Sequence, residues 1–294
     1  MKPAPDRIYD TLKRYWGFTE FRPVQLEIIR SVLEGRDTLA LMPTGGGKSL
    51  TYQVPTLARE GLCIVVTPLI ALMKDQVDRL RARAVPAVAI HSGLSPRQID
   101  IALDNCAYGD VKFLYVAPER LATEAFRLRV VRMNVQLIAV DEAHCISQWG
   151  QDFRPSYLKI ADFIAQLPTR PVVAAFTATA TKQVRADIIS QLGLKNPLLN
   201  ITGFDRPNLY FAVQHPTGKL AAVWQLVRER SEKSGIVYCN TRASVERVCE
   251  FLNDKGIAAT RYHAGLSEEE RHANQDDFRF DRKTVMVATN AFGM

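Results

Sequence analysis

The fold of this chain is decided by one stretch of sequence, Met42-Pro43-Thr44-Gly45-Gly46-Gly47-Lys48-Ser49, which follows the apolar run Thr38-Leu39-Ala40-Leu41. The pattern predicts a strand, a glycine-rich loop and a helix that begins at Lys48. Such a loop directs successive backbone N–H groups and a helix N-terminus at one point, where a phosphate chain binds. The glycines keep Cβ atoms away from the phosphate oxygens. We therefore interpret the stretch as a phosphate-binding loop.

Within this loop, Lys48 is predicted to reach the β- and γ-phosphates of a nucleotide, and Ser49 to place its hydroxyl on Mg²⁺. The other predicted phosphate contacts come from four loop residues: Thr44, Gly45, Gly46 and Gly47. The common form of the motif has glycine five residues before Gly47, where this chain has Met42. The alternative interpretation is a glycine-rich turn that only makes a tight strand-to-helix connection.

A second apolar run ends in two carboxylates, in Val135-Gln136-Leu137-Ile138-Ala139-Val140-Asp141-Glu142-Ala143-His144. The run is short and partly β-branched, which is typical of a buried parallel strand that delivers acidic side chains to the carboxyl edge of a sheet. We expect Asp141 to hold Mg²⁺ through water, and Glu142 to orient or deprotonate the attacking water. An Asp-Glu pair after a strand also serves as a helix cap. Combined with the phosphate-binding loop, it predicts an NTP hydrolase with Lys48, Asp141 and Glu142 as catalytic residues.

The rest of the chain predicts an α/β fold in two domains. Its 294 residues, 47% of them hydrophobic, are enough for two hydrophobic cores. Short apolar runs, among them a strand predicted at residues 209–213, alternate with helical patterns, which indicates a parallel sheet covered on both faces. Turn-rich residues 203–208 predict a linker between domains 1–204 and 205–294. Because the second domain is shorter than the usual ~100–150 residues, we expect it to be incomplete.

Several classes of protein are disfavoured by composition. No apolar run reaches the ~18 residues of a membrane span, and the N-terminus lacks the apolar core of a secretion signal. The five cysteines have no C-x-x-C spacing, so neither a disulfide framework nor a zinc site is expected. A net charge of +7 is compatible with nucleic-acid binding. We therefore expect a soluble intracellular protein that has no membrane partner.

An aromatic, an arginine and a glutamine lie just ahead of the phosphate-binding loop, at Phe18, Arg22 and Gln25. We predict that Phe18 and Arg22 stack on an adenine and that the amide of Gln25 matches its donor and acceptor edge. The alternative is an aromatic cluster that packs a helical hairpin.

Nine blocks of sequence occur in the order found in the RecQ family of superfamily-two DNA helicases, which the chain resembles over nearly its whole length. The blocks are residues 18–25, 42–49, 67–76, 115–120, 141–144, 176–181, 236–242, 263–265 and 288–294. The resemblance covers roughly the first two-thirds of the family's helicase core. It implies two tandem RecA-like domains of the P-loop NTPase class, with the second incomplete.

The most discriminating block is Cys145-Ile146-Ser147-Gln148-Trp149-Gly150-Gln151-Asp152-Phe153-Arg154-Pro155, here called the aromatic segment. It resembles the loop that senses single-stranded DNA in RecQ helicases and couples it to ATP hydrolysis. Exposed Trp149 and Phe153, with Arg154 nearby, are expected to stack on bases at ~1–3 kcal/mol per base. Alternatively, Trp149 and Phe153, four residues apart, form one buried helix face. Gln151 replaces the usual His of the family.

The resemblance also implies a function, a 3′–5′ ATP-dependent DNA helicase of recombination and repair with ATP and Mg²⁺ as cofactors. It implies four residues that couple the nucleotide and DNA sites: His144, Gln148, Thr177 and Thr179. It implies further DNA contacts at Pro68, Leu69, Asn240 and Thr241. The expected partners are single-stranded DNA, duplex junctions, single-strand-binding proteins and repair proteins. The expected location is the bacterial cytoplasm at the nucleoid, or the nucleus of a eukaryote.

Three alternatives remain open from the sequence. One is an RNA helicase or a double-strand translocase, since the two-lobed plan is common to these motors. Another is a non-catalytic module that binds ATP and DNA. A metabolic P-loop kinase is the third, but it leaves the aromatic segment and the second domain without a role. Because the family's arginine finger lies beyond Met294 and contributes roughly 10³–10⁵ in rate, we expect residues 1–294 alone to hydrolyse ATP poorly.

Overall fold

The computed structural model describes residues 5–43, 45–150, 152–201, 209–290 and 292. The chain divides into two units, Met1–Asp205 and Arg206–Met294. Each unit has its own parallel sheet and its own hydrophobic core. The predicted linker at residues 203–208 lies outside the described residues.

Strands and helices alternate through the first unit. The strands are β1 (Thr38–Leu41), β2 (Leu62–Val66), β3 (Ala87–Ile90), β4 (Phe113–Val116), β5 (Val135–Val140), β6 (Val172–Thr177) and β7 (Leu198–Ile201). The helices are α1 (Pro5–Trp16), α2 (Pro23–Leu33), α3 (Lys48–Leu57), α4 (Ile70–Arg81), α5 (Pro96–Tyr108), α6 (Glu124–Val130), α7 (Ile160–Ala165) and α8 (Lys182–Gln191). Short 3₁₀ turns cover Pro118–Ala122, Ala143–Ile146 and Pro155–Lys159.

The seven strands form one fully parallel sheet in the order β3-β4-β2-β5-β6-β1-β7. The last residue of β1, Leu41, is opposite the last residue of β6, Thr177. Likewise Val66 of β2 is opposite Val140 of β5. Because parallel strands all point the same way, the segments that follow β1, β2, β5 and β6 leave the sheet at one edge. The predicted parallel α/β sheet is confirmed.

The central strands are buried on both faces, which explains their nearly continuous apolar sequence. In β5, Ile138 and Val140 pack into the core on one face of the sheet, while Leu137 and Ala139 pack into the core on the other. All five cysteines are free, and four of them are buried. No helix among the described residues combines the length and apolar character that a membrane crossing requires.

The second unit contains α9 (Lys219–Arg228), β8 (Gly235–Tyr238), α10 (Arg242–Asp254), β9 (Ala259–Tyr262), α11 (Glu268–Arg279) and β10 (Val285–Ala288). Its parallel sheet has the order β8-β10-β9. The strand predicted at residues 209–213 is wrong. These residues are irregular, and Tyr210, Phe211 and Val213 are almost fully exposed. A short continuous apolar run resembles a buried strand, but a strand forms only where a neighbour accepts its backbone hydrogen bonds.

The start of the first sheet is held by a buried carboxylate, Asp37, which the sequence analysis did not single out. Arg170 donates to both oxygens of Asp37, at 3.1 and 2.6 Å. The backbone N–H groups of Val173 and Lys195 donate to the same carboxylate at 2.9 and 2.7 Å. Asp37 therefore connects the beginning of β1 to the beginning of β6 and to the segment before β7.

Replacement of Asp37 by asparagine is expected to lower the free energy of unfolding by about 1–2 kcal/mol, because an amide nitrogen cannot accept the hydrogen bonds made by one of the two oxygens. Urea unfolding followed by circular dichroism measures the change. Asp162→Asn, at an exposed position of α7, is the matched control and should leave the transition unchanged. An unchanged midpoint for Asp37→Asn would contradict the assignment.

Candidate functional site

The loop between β1 and α3 has the backbone that its glycines predict. Gly45 and Gly47 have φ values of 79° and 78°, in the left-handed region that other residues rarely adopt. A Cβ atom on Gly46 would lie 2.9 Å from the carbonyl oxygen of Pro43. Gly47 is the N-cap of α3, so the first helical residue is Lys48. The loop and the helix N-terminus therefore have the form required to bind phosphate. Thr44 lies outside the described residues.

Lys48 lies against both predicted catalytic acids. Its ammonium group donates a hydrogen bond to Asp141 Oδ1, although 93 residues separate the two in sequence, and it lies 3.6 Å from Glu142 Oε1. Burial acts to lower the pKa of Lys48, but the negative charges of Asp141 and Glu142 raise it by more, so its pKa lies above the ordinary value. Lys48 is consequently positively charged at neutral pH, within reach of anionic groups.

Asp141 is fixed in place by the sheet and by a tyrosine. Its backbone N–H donates to the Val66 carbonyl at 2.8 Å, and the buried Tyr157 hydroxyl donates to the Asp141 carbonyl at 2.9 Å. Burial raises the pKa of Tyr157, which keeps this hydroxyl a neutral donor. Glu142 has φ 47° and ψ 44°, a left-handed conformation that is costly for a non-glycine residue. The two adjacent carboxylates are therefore held in a defined and partly strained geometry.

Beside these residues is a cavity of about 520 Å³. Its walls include Gly45, Gly47, Lys48, Ser49, Asp141 and Glu142. Thr67, at the end of β2, also lines the cavity, and its buried hydroxyl oxygen has no hydrogen-bond partner in the described structure. A buried polar group without a partner costs stability unless water or a ligand satisfies it. The cavity thus offers backbone donors, one ammonium group and carboxylates to a polar ligand.

The residues present fit a nucleotide-bound Mg²⁺ ion. Among the described residues, no group of three or more His, Cys, Asp or Glu side chains could hold a metal by itself. Mg²⁺ in nucleotide sites is usually held by only one or two protein groups, with water and phosphate oxygens completing its coordination. The Ser49 hydroxyl and Asp141 carboxylate, which both line the cavity, supply that set.

Two of the three residues predicted to contact adenine, Arg22 and Gln25, hydrogen-bond to the phosphate-binding loop. The side-chain amide of Gln25 donates to the Gly46 carbonyl at 3.0 Å and accepts from the backbone N–H of Arg22 at 3.1 Å. The Arg22 guanidinium donates to the Gly45 carbonyl at 3.3 Å. Phe18 is 56% exposed. Contact with adenine stays a prediction, while a loop-anchoring role of Gln25 is an addition that the sequence did not indicate.

Replacement of Gln25 by leucine separates these two roles. We expect the affinities for both Mg-ATP and inorganic tripolyphosphate to fall by about 2–10-fold, as for the loss of a hydrogen bond worth 0.5–1.5 kcal/mol, because the loop loses an anchor. If Gln25 acts only on adenine, tripolyphosphate will bind with unchanged affinity. Gln98→Leu, at an exposed position of α5, is the control, and calorimetric titration is the measurement.

Three of the predicted coupling residues lie together. His144 Nδ1 is 2.9 Å from the Thr177 hydroxyl and 3.4 Å from Glu142 Oε2. The Thr177 hydroxyl also contacts the backbone of Thr179, whose carbonyl oxygen is 3.0 Å away. Gln148 is exposed, and its coupling role stays a prediction. His144 therefore lies between the acidic pair and the end of β6, with a hydrogen bond to Thr177 and a close contact to Glu142.

The aromatic segment follows directly. Trp149 is 75% exposed, Phe153 is half-buried, and Arg154 makes an ion pair with Asp152 at 2.8 Å. The described residues 147–154 contain no helix, so the alternative of a buried helix face is wrong. Gly150 makes the turn possible, since a Cβ atom there would lie 2.4 Å from the His144 carbonyl oxygen. Gln151 lies outside the described residues.

The other predicted DNA contacts lie at strand ends. Pro68 and Leu69 are half-buried between β2 and α4, at the same edge as the phosphate-binding loop. In the second unit, Asn240 is exposed and the Thr241 hydroxyl accepts a hydrogen bond from the Ser244 N–H as the N-cap of α10. The cap accounts for Thr241 structurally. The DNA contacts of these residues stay predictions.

The fold and the site define a class. The carboxyl edge of a parallel sheet brings the phosphate-binding loop to an Asp-Glu-Ala-His segment. Residues 22–187, which include this loop and this segment, match the family profile described as DEAD/DEAH box helicase. The profile of the helicase conserved C-terminal domain matches residues 218–294. The chain belongs to the DEAD/DEAH box helicases.

Within that family, the resemblance to RecQ helicases is confirmed. The chain is 43% identical over 283 residues to ATP-dependent DNA helicase RecQ of Haemophilus influenzae, a match that covers 96% of the chain and 46% of that protein. It is 44% identical over 289 residues to ATP-dependent DNA helicase RecQ of Bacillus subtilis, covering 98% of the chain and 49% of the relative. The chain thus spans about half the length of these relatives.

Solved helicase structures have the same fold. The Mycobacterium smegmatis helicase Lhr, bound to single-stranded DNA and AMP-PNP, matches with a TM-score of 0.70 at 20% identity, covering 100% of this chain and 43% of that one. The helicase MrfA, bound to DNA and AMPPNP, matches with a TM-score of 0.74 at 18% identity, covering 100% of this chain and 45% of that one. These likenesses support the two tandem helicase domains and confirm the predicted fold class.

Proposed function

We propose that the chain is the motor core of a RecQ-type DNA helicase, which couples ATP hydrolysis to movement along single-stranded DNA with 3′–5′ polarity during recombination and repair. One observation carries the proposal. Hydrogen bonds connect the phosphate-binding Lys48 to the acidic pair, and His144 connects that pair to the end of β6, directly beside an exposed tryptophan. A polyphosphate site and a base-stacking site are therefore contiguous in one unit.

Lys48, Asp141 and Glu142 have different roles in the proposed hydrolysis of ATP. Lys48 forms ion pairs with both carboxylates. A bound triphosphate would attract Lys48 more strongly, which would free Asp141 to hold Mg²⁺ together with Ser49. The ion, when bound, would neutralise charge on the phosphates. Glu142, whose carboxylate lies 3.6 Å from the Lys48 ammonium group, would orient the attacking water and accept its proton.

The link to DNA passes through His144. Its imidazole lies between Glu142 and the Thr177 hydroxyl, and the aromatic segment begins at the next residue. Stacking of a base on Trp149 would bias the position of that segment and, through His144, the position of Glu142. Hydrolysis would then depend on single-stranded DNA.

The experiment that tests this function is a comparison of ATP hydrolysis by the full-length gene product with single-stranded DNA, RNA or duplex DNA. Stimulation by single-stranded DNA that exceeds stimulation by duplex DNA by at least about tenfold is the expected result, since only unpaired bases are free to stack, at about 1–3 kcal/mol per base. A preference for RNA would indicate an RNA helicase, and a preference for duplex a double-strand translocase. ATP binding without hydrolysis under all conditions would indicate a non-catalytic module.

We further propose that the protein acts where DNA is, at the nucleoid of a bacterium or in the nucleus of a eukaryote. The partners that we expect from this function are single-strand-binding proteins and proteins of recombination and repair. Co-localisation of a tagged chain with DNA in intact cells tests the proposed location.

A further inference from the structure

Helix α8 is joined to the aromatic segment by a buried hydroxyl. Ser147 has no exposed surface, and its Oγ donates to Asp187 Oδ2 on α8 at 2.6 Å. The same oxygen accepts from the backbone N–H of Trp149 at 3.2 Å. Ser147 therefore connects the carboxylate of α8 directly to the backbone of the exposed tryptophan.

Asp187 is itself held in place. Its other oxygen accepts from the Gln183 amide at 3.1 Å, one helical turn earlier on α8. A hydrogen bond to a carboxylate is roughly twice as strong as one between neutral groups. Asp187 thus has one oxygen fixed by its own helix and the other available to orient the Ser147 hydroxyl.

Helix α8 begins just after the residues that contact His144. Its N-cap is Thr181, four residues beyond Thr177. The β6–α8 region is consequently hydrogen-bonded both to His144, the residue just before the aromatic segment, and to Ser147 within the segment. Between Trp149 and residues 179–181 lies a cavity of about 250 Å³. Its shape depends on where the segment holds the Trp149 backbone.

We propose that Asp187 is a positioning residue for DNA binding. Through the Ser147 hydroxyl it holds the Trp149 backbone so that the indole faces a DNA base beside Thr179 and Thr181. Asp187 touches neither nucleotide nor base, and its effect passes entirely through Ser147. This inference rests on the proposed function, because it assigns a role in the same DNA-sensing segment.

The test uses four variants: Asp187→Ala, Asp187→Asn, Ser147→Ala and the double variant Asp187→Ala/Ser147→Ala. Affinity for a fluorescent oligothymidylate is measured by anisotropy, and affinity for Mg-ATP by calorimetry. We expect each alanine variant to bind the oligonucleotide about 5–10-fold more weakly, and the double variant no more weakly than either, because both remove one connection. Asp187→Asn, which keeps an acceptor oxygen, should bind nearly as well as wild type, and Mg-ATP affinity should not change.

Hydrogen exchange in the absence of DNA tests the anchoring independently of DNA binding. The Trp149 amide should exchange faster in Asp187→Ala but not in Asp162→Ala, an exposed control on α7. Unchanged exchange and unchanged oligonucleotide affinity in Asp187→Ala would overturn the inference, as would additive effects of the two alanines. If wild type binds Mg-ATP but not the oligonucleotide, the DNA-binding part of the proposed function fails. Faster exchange of the Trp149 amide in Asp187→Ala would then still support the anchoring contact. Loss of Mg-ATP binding in Asp187→Asn would show a general structural role and would also overturn the inference.

Discussion

Replacement of Lys48 by methionine is expected to weaken binding of Mg-ATP by at least about 100-fold, because charge-assisted hydrogen bonds to two phosphates are worth about 1.5–3 kcal/mol each. Methionine keeps much of the apolar stem of lysine and removes only the ammonium group. In the structure this group lies against two carboxylates, whose negative charges raise its pKa above the ordinary value. Calorimetric titration of the 294-residue chain with Mg-ATP is the measurement. It does not depend on catalytic turnover.

The same substitution has a second effect that must be separated from the first. It leaves the carboxylate of Asp141, which is 5% exposed, without its cation. We therefore expect the free energy of unfolding to fall by about 1–3 kcal/mol. Adding Asp141→Asn should restore most of the stability and none of the binding. Lys159→Met, at an exposed position, is the control for both measurements. Retention of Mg-ATP affinity by Lys48→Met would exclude the proposed nucleotide site.

The parts of the site that follow from local sequence were predictable. Glycines at positions 45 and 47 are needed for positive φ values, and a helix has to start after them. The carboxylates at positions 141 and 142 end a buried strand, and parallel strands end at a common edge. Proximity of Lys48 and Asp141 followed from these two facts, since the strands before them each pair with β6.

The contacts that support the site were not predictable, because each joins residues far apart in the chain. Asp37 contacts Arg170 across 133 positions, and Ser147 contacts Asp187 across 40. Neither pair carries a local pattern, since a single Asp or Ser near a strand end most often serves as a cap. Gln25 shows another limit. Its amide matches adenine in principle, but the sequence does not indicate that the same amide donates to the loop carbonyl of Gly46.

The strand predictions were wrong where the presence of a neighbouring strand determines whether a segment forms a strand. Residues 209–213 are a continuous run of apolar and aromatic side chains, yet they form no strand. Leu198–Ile201 was not predicted and forms β7, because β1 provides a free edge for parallel pairing. Propensity describes which residues fit a pleated surface, whereas the presence of a neighbouring strand determines whether a strand forms.

Replacement of Trp149 by alanine is expected to weaken binding of single-stranded DNA by about 10–100-fold, because stacking of one base on an aromatic ring contributes 1–3 kcal/mol. The indole is largely exposed, so its removal creates no cavity in a core. Unlike a core substitution, it should therefore leave the free energy of unfolding within about 0.5 kcal/mol of wild type. Trp149→Phe keeps a ring and should retain most of the affinity.

Leu128→Ala removes another exposed apolar side chain, which lies on α6 and is 62% exposed, and is the control. Anisotropy titration with an oligothymidylate, with and without a non-hydrolysable ATP analogue, distinguishes stacking from coupling. Loss of affinity under both conditions assigns a direct base contact to Trp149. Loss only when the analogue is present would mean that Trp149 transmits the nucleotide state through His144, and that the DNA base stacks elsewhere. Equal affinity of wild type and Trp149→Ala under both conditions would remove the aromatic segment from the DNA-binding surface, leaving the nucleotide site as the only part of the motor supported in the first unit.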